Sequence, residues 1–305
     1  MTDYSFVCGD DICDQRIDRC VADMYEDFSR SYIQKLIRDG KVFVNDRPVK
    51  SSFRVSEGDR VCFSAPEAVL PDIVPENIPL DILYEDEDII VVNKPKGMVV
   101  HPAPGHYSGT LVNALMYHCS GGLSGINGIL RPGIVHRIDM DTTGTLLVCK
   151  NDKAHVKIAE QLKEHSLTRV YTALVHGVIK QDEGRIDAPI GRSEKDRKKM
   201  CINAKNGKHA VTNYKVMERY EKYSLISCRL ETGRTHQIRV HLSSIGYPIA
   251  GDSVYCSLKP PCALQGQTLH AGTIGFIHPR SGEYMEFTAP LPVYFTELIK
   301  KLESA

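Results

Sequence analysis

The run His136 to Leu146, H-R-I-D-M-D-T-T-G-T-L, sets one carboxylate, Asp139, between a basic pair and a Gly/Thr turn. The apolar run Thr145 to Cys149 follows at once. A carboxylate at the end of an apolar strand is costly unless it is paired, so something must hold it charged. A candidate source of that partner lies further along the chain, in E-T-G-R-T-H-Q-I-R-V-H, Glu231 to His241. A charged carboxylate aimed by a cation can move a proton or attack as a nucleophile. Asp141 is the near alternative to Asp139 in the same run.

Other chemistries find less support. There is no phosphate-binding G-x-x-x-x-G-K, no G-x-G-x-x-G, no G-x-S-x-G and no H-E-x-x-H. Nucleotide cofactors and zinc hydrolysis therefore lack a motif. His236 and His241 are five apart, so on a helix they do not share a face as zinc-ligand pairs do. The ten cysteines (8, 13, 20, 62, 119, 149, 201, 228, 256 and 262) include no C-x-x-C pair. They read as reduced thiols of a cytosolic chain, and the spacing of Cys8, Cys13 and Cys20 does not match a structural zinc site.

The net charge of zero hides an asymmetry. Residues 66–93 hold 8 acidic residues and no basic one, whereas residues 94–305 hold 28 basic against 18 acidic. A basic body behind an acidic connector fits a polyanion-binding surface, although a solvated surface gives the same count. No apolar run approaches a membrane span of roughly 18 residues. The acidic N-terminus, Met1-Thr-Asp-Tyr-Ser, lacks a signal-peptide pattern, which predicts a cytoplasmic protein with no membrane partner. A monomer is the expected state.

The elements that must position Asp139 follow from patterning. Prolines 66, 71, 75 and 79 mark a linker. The predicted division is residues 1–65, linker 66–80 and residues 81–305. In the first part, Ser29 to Gly40 reads as a helix capped by serine and stopped by glycine. Its apolar face is Tyr32, Ile33, Leu36 and Ile37. Lys41 to Asn45 and Arg47 to Val49 form a hairpin turning at Asn45-Asp46, and a strand follows at Asp59 to Phe63. In the second part, strands are expected at Asp81 to Tyr84, Ile89 to Asn93, Gly133 to His136, Thr145 to Lys150, Arg169 to Val175 and Tyr223 to Glu231. Helices are expected at Thr110 to Tyr117, from Asn151 or Asp152 to His165, and at Thr235 to Ile245. Strands outnumber helices without regular alternation. The predicted fold is therefore α+β, with a mixed, mainly antiparallel sheet in the larger domain and a small N-terminal α/β-hairpin domain.

Two resemblances sharpen this. S-R-S-Y-I-Q-K-L-I-R-D-G-K-V-F-V-N-D, followed by V-K-S-S-F-R-V-S-E-G-D-R-V, resembles the alpha-L RNA-binding module first seen in a small-subunit ribosomal protein. It implies that Arg30, Lys35, Arg38 and Lys41 face RNA phosphates. The acidic residues 1–28, with 8 acidic against 2 basic, depart from a uniformly basic module. K-P-K-G at 94–97, H-R-I-D-M-D-T-T-G at 136–144, R-V-Y-T-A-L-V at 169–175 and L-E-T-G-R-T-H-Q-I-R-V-H at 230–241 occur in order and resemble the RluA family of pseudouridine synthases, its RluD-type subgroup most.

That resemblance implies isomerisation of uridine in RNA to pseudouridine, the uracil being detached at nitrogen 1, turned and rejoined to the ribose through carbon 5, with no cofactor or metal. Asp139 matches the catalytic aspartate and Arg234 the arginine that pairs with it, a cation beside a carboxylate favouring its charged form. Tyr171 matches the tyrosine that stacks on the base, and Arg137 the residue that enters the RNA stack when the target is flipped out. Ile238 and Val240 correspond to the apolar wall of the base pocket. Large-subunit ribosomal RNA is the implied substrate and transfer RNA the alternative. A non-catalytic RNA-binding or ribosome-assembly factor would need neither Asp139 nor its arginine, and a metal hydrolase would be stopped by chelators. The basic stretch Arg192 to Lys199 is read as a loop that either grips RNA or is simply solvated.

Overall fold

The computed structural model describes residues 2–25, 30–65, 73–103, 105–120, 122–126, 131–193, 196 and 199–304. It divides into two compact units, Met1–Pro71 and Asp72–Ala305. The division falls within the proline-rich stretch expected to be a linker. The cap expected from Ser29, residues 66–72 of that linker, and residues 194, 195, 197 and 198 of the basic stretch lie outside the described residues.

The first unit contains β1 (Thr2–Val7), α1 (Ile17–Met24), α2 (Arg30–Arg38), β2 (Val42–Val44), β3 (Arg47–Pro48) and β4 (Arg60–Ala65). The strands form an antiparallel sheet in the order β1-β4-β2-β3. Ile17, Cys20 and Val21 of α1 and Ile33, Leu36 and Ile37 of α2 bury against Val42, Val44, Val61 and Phe63. The hairpin turns where expected, because Asn45 and Asp46 accept the left-handed region (φ +49° and +61°) that a tight hairpin turn demands.

The acidic first helix has a structural explanation. Asp18 is fully buried and receives Arg16 Nε at 3.0 Å, Arg30 Nε at 3.1 Å and the Gln34 amide. Burial alone would raise its carboxyl. The hydrogen bonds from Arg16, Gln34 and Arg30 outweigh that and hold it at about 2. Arg30 is thus turned onto Asp18 rather than standing free. Lys35 and Arg38 are exposed and Lys41 is half-buried, and none of the three forms an ion pair among the described residues.

The second unit contains β5 (Ile82–Glu85), β6 (Ile89–Lys94), α3 (Leu111–His118), β7 (Thr143–Cys149), α4 (Asp152–Lys163), β8 (Thr168–His176), β9 (Glu183–Asp187), β10 (Ile190–Arg192), β11 (Met200–Ile202), β12 (Val211–Arg219), β13 (Tyr223–Leu230), α5 (Gln237–Ser244), β14 (Leu269–Ile277), β15 (Tyr284–Thr288) and α6 (Val293–Glu303). One nine-stranded sheet runs β5-β6-β7-β14-β8-β13-β12-β9, with β15 beside β14. Its described pairs are antiparallel except β7 with β14. The α+β architecture with a mixed, mainly antiparallel sheet is the one expected.

The apolar run after Asp139 reads continuously because both faces of β7 are covered. Leu146 and Val148 pack with Leu111, Val112 and Leu115 of α3 and Ile238 and Leu242 of α5. Leu147 and Cys149 pack on the opposite face with Ala154 and Ile158 of α4. No described helix is long and apolar enough to cross a membrane. One expected strand is corrected: Gly133 to His136 makes only the single bridge Ile134–Val148. Its backbone leaves the sheet at once to form the loop that carries Asp139.

Gly144, the second residue of β7, sits at φ +109°, where it meets Ala271 of β14 in the parallel pair. A Cβ there would lie 2.1 Å from the Ala271 carbonyl oxygen. Gly144→Ala combines a disfavoured backbone with a backbone clash, so urea unfolding should show a loss of at least about 2 kcal/mol. An unchanged midpoint would mean that the β7–β14 approach is looser than this.

Candidate active site

Asp139 sits on the loop between the Ile134 bridge and β7, its side chain 20% exposed. Three contacts hold that loop. The Thr142 amide donates to the Asp139 carbonyl at 3.0 Å. The Gly97 amide donates to the Met140 carbonyl at 3.0 Å. Lys94, the first lysine of K-P-K-G, is 1% exposed, and its Nζ donates to the carbonyls of Pro95 (2.8 Å), Met98 (2.8 Å) and Met140 (2.9 Å). Burial pulls the Lys94 ammonium down to about 7 against the opposing charges of Asp141 and Asp139.

The cation that meets Asp139 is Arg239, whose Nη1 lies 2.9 Å from Asp139 Oδ2. The rest of the guanidinium is engaged by Asp252, with Nε to Oδ2 at 2.7 Å and Nη2 to Oδ1 at 2.9 Å. Such a forked pair fixes the plane of the group as well as its position. Asp252 Oδ1 is fixed in turn by the amides of Val254 (2.9 Å) and Tyr255 (3.1 Å), and the Tyr255 ring lies 5.1 Å from the guanidinium carbon. Burial opposes the Arg239 charge, but the hydrogen bond to Asp252 and the charges of Asp139 and Asp252 outweigh it and push its pKa up. Burial would raise Asp252, and the Arg239 hydrogen bond and charge bring it down instead.

Arg239 is delivered by α5, and α5 is anchored by Gln237. Gln237 Oε1 accepts from Thr232 Oγ1 (2.7 Å) and the Arg234 amide (2.9 Å), while its Nε2 donates to the Val211 carbonyl (2.9 Å) and Thr212 Oγ1 (3.0 Å). His236 precedes the helix in the left-handed region, φ +56°. Its Nδ1 meets the Tyr255 hydroxyl at 2.8 Å and its Nε2 lies 3.8 Å from Asp139 Oδ1. Burial lowers its pKa despite the pull of Asp139.

Asp139, His236, Gln237 and Arg239 line a cavity of about 350 Å³. Among the described residues Asp139 is its single acidic lining residue, against Arg137, Arg169, Arg234 and Arg239. Tyr171, Ile238, Leu230 and Leu269 supply apolar and aromatic wall. Burial raises the Tyr171 phenol, Asp139 adds to the rise and Arg169 opposes it. Asp139 Oδ1 accepts no hydrogen bond from the described residues. Asp141 does not line the cavity, and its carboxylate packs where a Cβ on Gly266 would be. His241, the other half of the rejected zinc pair, meets Thr212 Oγ1 at 3.0 Å and the Ala188 carbonyl at 2.9 Å.

Two expectations are corrected. Arg234 lines the cavity but does not pair with Asp139; its Nε donates to the His209 carbonyl at 2.9 Å. It stands in the loop before α5, whereas Arg239 projects from the helix itself. Residues 237–242 are buried throughout in the folded chain, and an arginine inside such a stretch demands a counter-charge, but that burial is set by packing and gives no local signal in the sequence. Val240 is no part of the wall. It packs with Ile190 and Ala210, because residues two apart on a helix do not share a face. Asp252 and Tyr255 were missed because neither lies in a segment with a chemical signature. Arg137 is exposed at the cavity, with Nη1 3.3 Å from His101 Nε2.

Breaking a buried pair from one side strands the other charge at about 3–5 kcal/mol. Arg239→Met should therefore destabilise by about that amount in urea unfolding. Arg234→Met, which removes one carbonyl contact, should stay within about 1 kcal/mol. Equal losses from the two would contradict the assignment.

Comparison with known proteins shows the family. Residues 88–244 match the family model for RNA pseudouridylate synthase, and residues 15–61 match the S4 domain. The chain is 54% identical to the RNA pseudouridine synthase YlyB of Bacillus subtilis, over 94% of each chain. It is 47% identical to ribosomal large subunit pseudouridine synthase D of Zymomonas mobilis, over 94% of this chain and 93% of that one. Among solved structures, human RNA pseudouridylate synthase domain containing 1 superposes with a TM-score of 0.57 at 26% identity, covering 75% of this chain and 97% of its own. The loop that presents Asp139 and the helix that presents Arg239 both lie inside the matched synthase region, and the chain belongs to the RNA pseudouridylate synthase family.

Proposed function

We propose that the enzyme isomerises particular uridines in structured large-subunit ribosomal RNA, using Asp139 on a nucleotide turned out of its stack into the cavity. The observation that carries this reading is the single acidic group among the described residues of an arginine-lined cavity, hydrogen-bonded by Arg239 on one oxygen, the other facing His236 Nε2 at 3.8 Å without a hydrogen bond. An extruded nucleotide brings a ribose, an apolar base face and phosphates. Asp139 Oδ1 is free to meet the ribose, Tyr171 and Ile238 to flank the base, and the exposed Arg137 to fill the vacated stack, which offsets part of the few kcal/mol that flipping costs.

Asp139 then either attacks the ribose or base, or removes a ribose proton. Each route needs an ionised carboxylate beside the sugar, and Arg239 supplies the pairing. Lys35, Arg38 and Lys41 are the first unit's contribution to phosphate contact, with Arg30 weakened in that role by its bond to Asp18. The relatives named for ribosomal large subunit modification support that substrate class. The reading carries with it a cytoplasmic enzyme that works as a monomer without metal or cofactor.

The test is tritium release from RNA labelled at uracil carbon 5, paired with pseudouridine mapping in a strain lacking the enzyme. Wild type should release label, and Asp139→Asn should lower the rate on the order of 10³-fold or more. Sites should disappear from large-subunit ribosomal RNA. Loss confined to transfer RNA would reassign the substrate, and equal release by both proteins would remove Asp139 from the chemistry.

A further inference from the structure

The cavity holds a second buried arginine whose situation is the reverse of Arg239's. Arg169 on β8 is 6% exposed, and no carboxylate among the described residues pairs with it. Among the described residues one of its five N–H donors is used: Nη2 donates to the Glu231 carbonyl at 3.2 Å. Its Nε is buried without a partner. Burial pushes its pKa down, so the fold disfavours the charge it carries. The surroundings are nevertheless shaped to keep it. Gly233, in the E-T-G-R-T-H segment, leaves room for Nη1, since a Cβ there would lie 2.5 Å from it. His136, the nearby ring, is not a counter-ion: burial and the Arg169 charge take it down to about 3, and its Nε2 accepts the Leu147 amide at 3.0 Å.

An unpaired buried guanidinium is expensive to keep, and a ligand that brings negative charge is what would repay it. Arg169 and Tyr171 are two apart on β8, so they share a strand face, and both line the cavity with Asp139. Tyr171 is close enough to respond to the charges of both Arg169 and Asp139. Arg169 thus shares a strand face with the tyrosine proposed to flank the base, and it is buried where Arg137 is exposed.

Negative charge arises there during the reaction proposed above, on which this inference rests. When the C1′–N1 bond of the target breaks, its electron pair leaves with the uracil, and the charge spreads from N1 onto the carbonyl oxygens O2 and O4. After the base turns, a ring electron pair at C5 forms the new bond to C1′, displacing the Asp139 carboxylate where it had attacked the ribose, or with return of the ribose proton where Asp139 had removed it. That bond leaves the base neutral; the C5 proton then departs to solvent while N1 takes one up, which completes pseudouridine. The charge is thus transient, and a fixed donor aimed at it favours the detached state over the bound uridine. We propose that Arg169 is this donor, its guanidinium hydrogen-bonding a carbonyl oxygen of the detached uracil. If that oxygen is O4, cytosine, which presents an amino group there, would meet a donor with a donor.

A phosphate oxygen offers the same acceptor chemistry, and the experiment separates the two. Arg169→Met and Arg169→Lys are compared with wild type in single-turnover tritium release, in RNA binding across a salt series, and on RNA carrying 2-thiouridine or 4-thiouridine at the target. Thermal melting reports folding. The expected result is a rate lowered on the order of 10²–10³-fold in Arg169→Met. RNA affinity and its salt slope should be unchanged, and Arg169→Lys should recover part of the rate. One thio substitution should slow wild type more than it slows the variants, a difference that a purely structural role would not produce. Wild-type rates in a folded Arg169→Met, identical thio effects in all proteins, or weakened binding with a salt slope reduced by about 1, the mark of a lost phosphate contact, would each overturn the proposal. Should Arg169→Met not fold, Arg169→Lys on the two thio RNAs decides by the same criterion. Absence of release by wild type would instead overturn the functional reading itself.

Discussion

One guanidinium shared unequally between two carboxylates organises this site. Arg239 gives its fork to Asp252 and a single N–H to Asp139. The inequality matters. A forked pair with Asp139 would occupy both oxygens of that carboxylate. Because Asp252 takes the fork, Asp139 is aimed by one bond and keeps Oδ1 open to the cavity. Burying three charges is expensive, and an apolar replacement of similar volume would often be as stable. The cluster is therefore better understood as positioning than as a source of stability.

The nine-stranded sheet supplies the rigidity that this arrangement requires. Asp139 leaves from the start of β7, a strand buried on both faces and locked to β6 and β14. Arg239 arrives from α5, tied through Gln237 to β12 and to the loop after β13. Tyr171 and Arg169 stand side by side on β8, two strands from β7 across β14. Three central strands and one helix thus bring together residues far apart in the chain. Lys94 finishes the frame by gathering three carbonyls, one of them from the residue after Asp139. The cationic lining around a lone carboxylate suits a polyanion entering from outside.

Much of this was legible in the sequence, and the omissions have physical causes. The helix at 30–38, its Asn45-Asp46 hairpin, the helix at 152–163 and the strands around residues 89–94, 143–149 and 168–176 follow from local periodicity and caps. The ribbons β9 to β12 were not anticipated. β12 alternates only over Tyr214 to Met217, with Tyr214 and Val216 on the core and Lys215 and Met217 exposed, and ends in exposed Glu218 and Arg219, which leaves a weak strand signal. β1 was missed because its place is set by pairing with β4, some sixty residues away in sequence, as Tyr4 stacked on Phe63 at 4.9 Å illustrates. In the site, Asp139 and the segment facing it were legible because a costly charge in an apolar context needs an explanation. Choosing Arg234 over Arg239 within that segment was the error. The choice depends on which arginine the helix turns inward, and that is settled by packing. Asp252 carried no local signal, since its role exists only once α5 is docked.

The most direct test is a double-mutant cycle on the single-turnover rate, using Asp252→Asn and Arg239→Lys with RNA affinity and folding monitored alongside. If Asp252 acts on the chemistry only by holding Arg239 against Asp139, the two substitutions should be strongly non-additive, the double variant scarcely slower than Arg239→Lys alone. Additive losses, or a wild-type rate in a folded Asp252→Asn, would contradict the account.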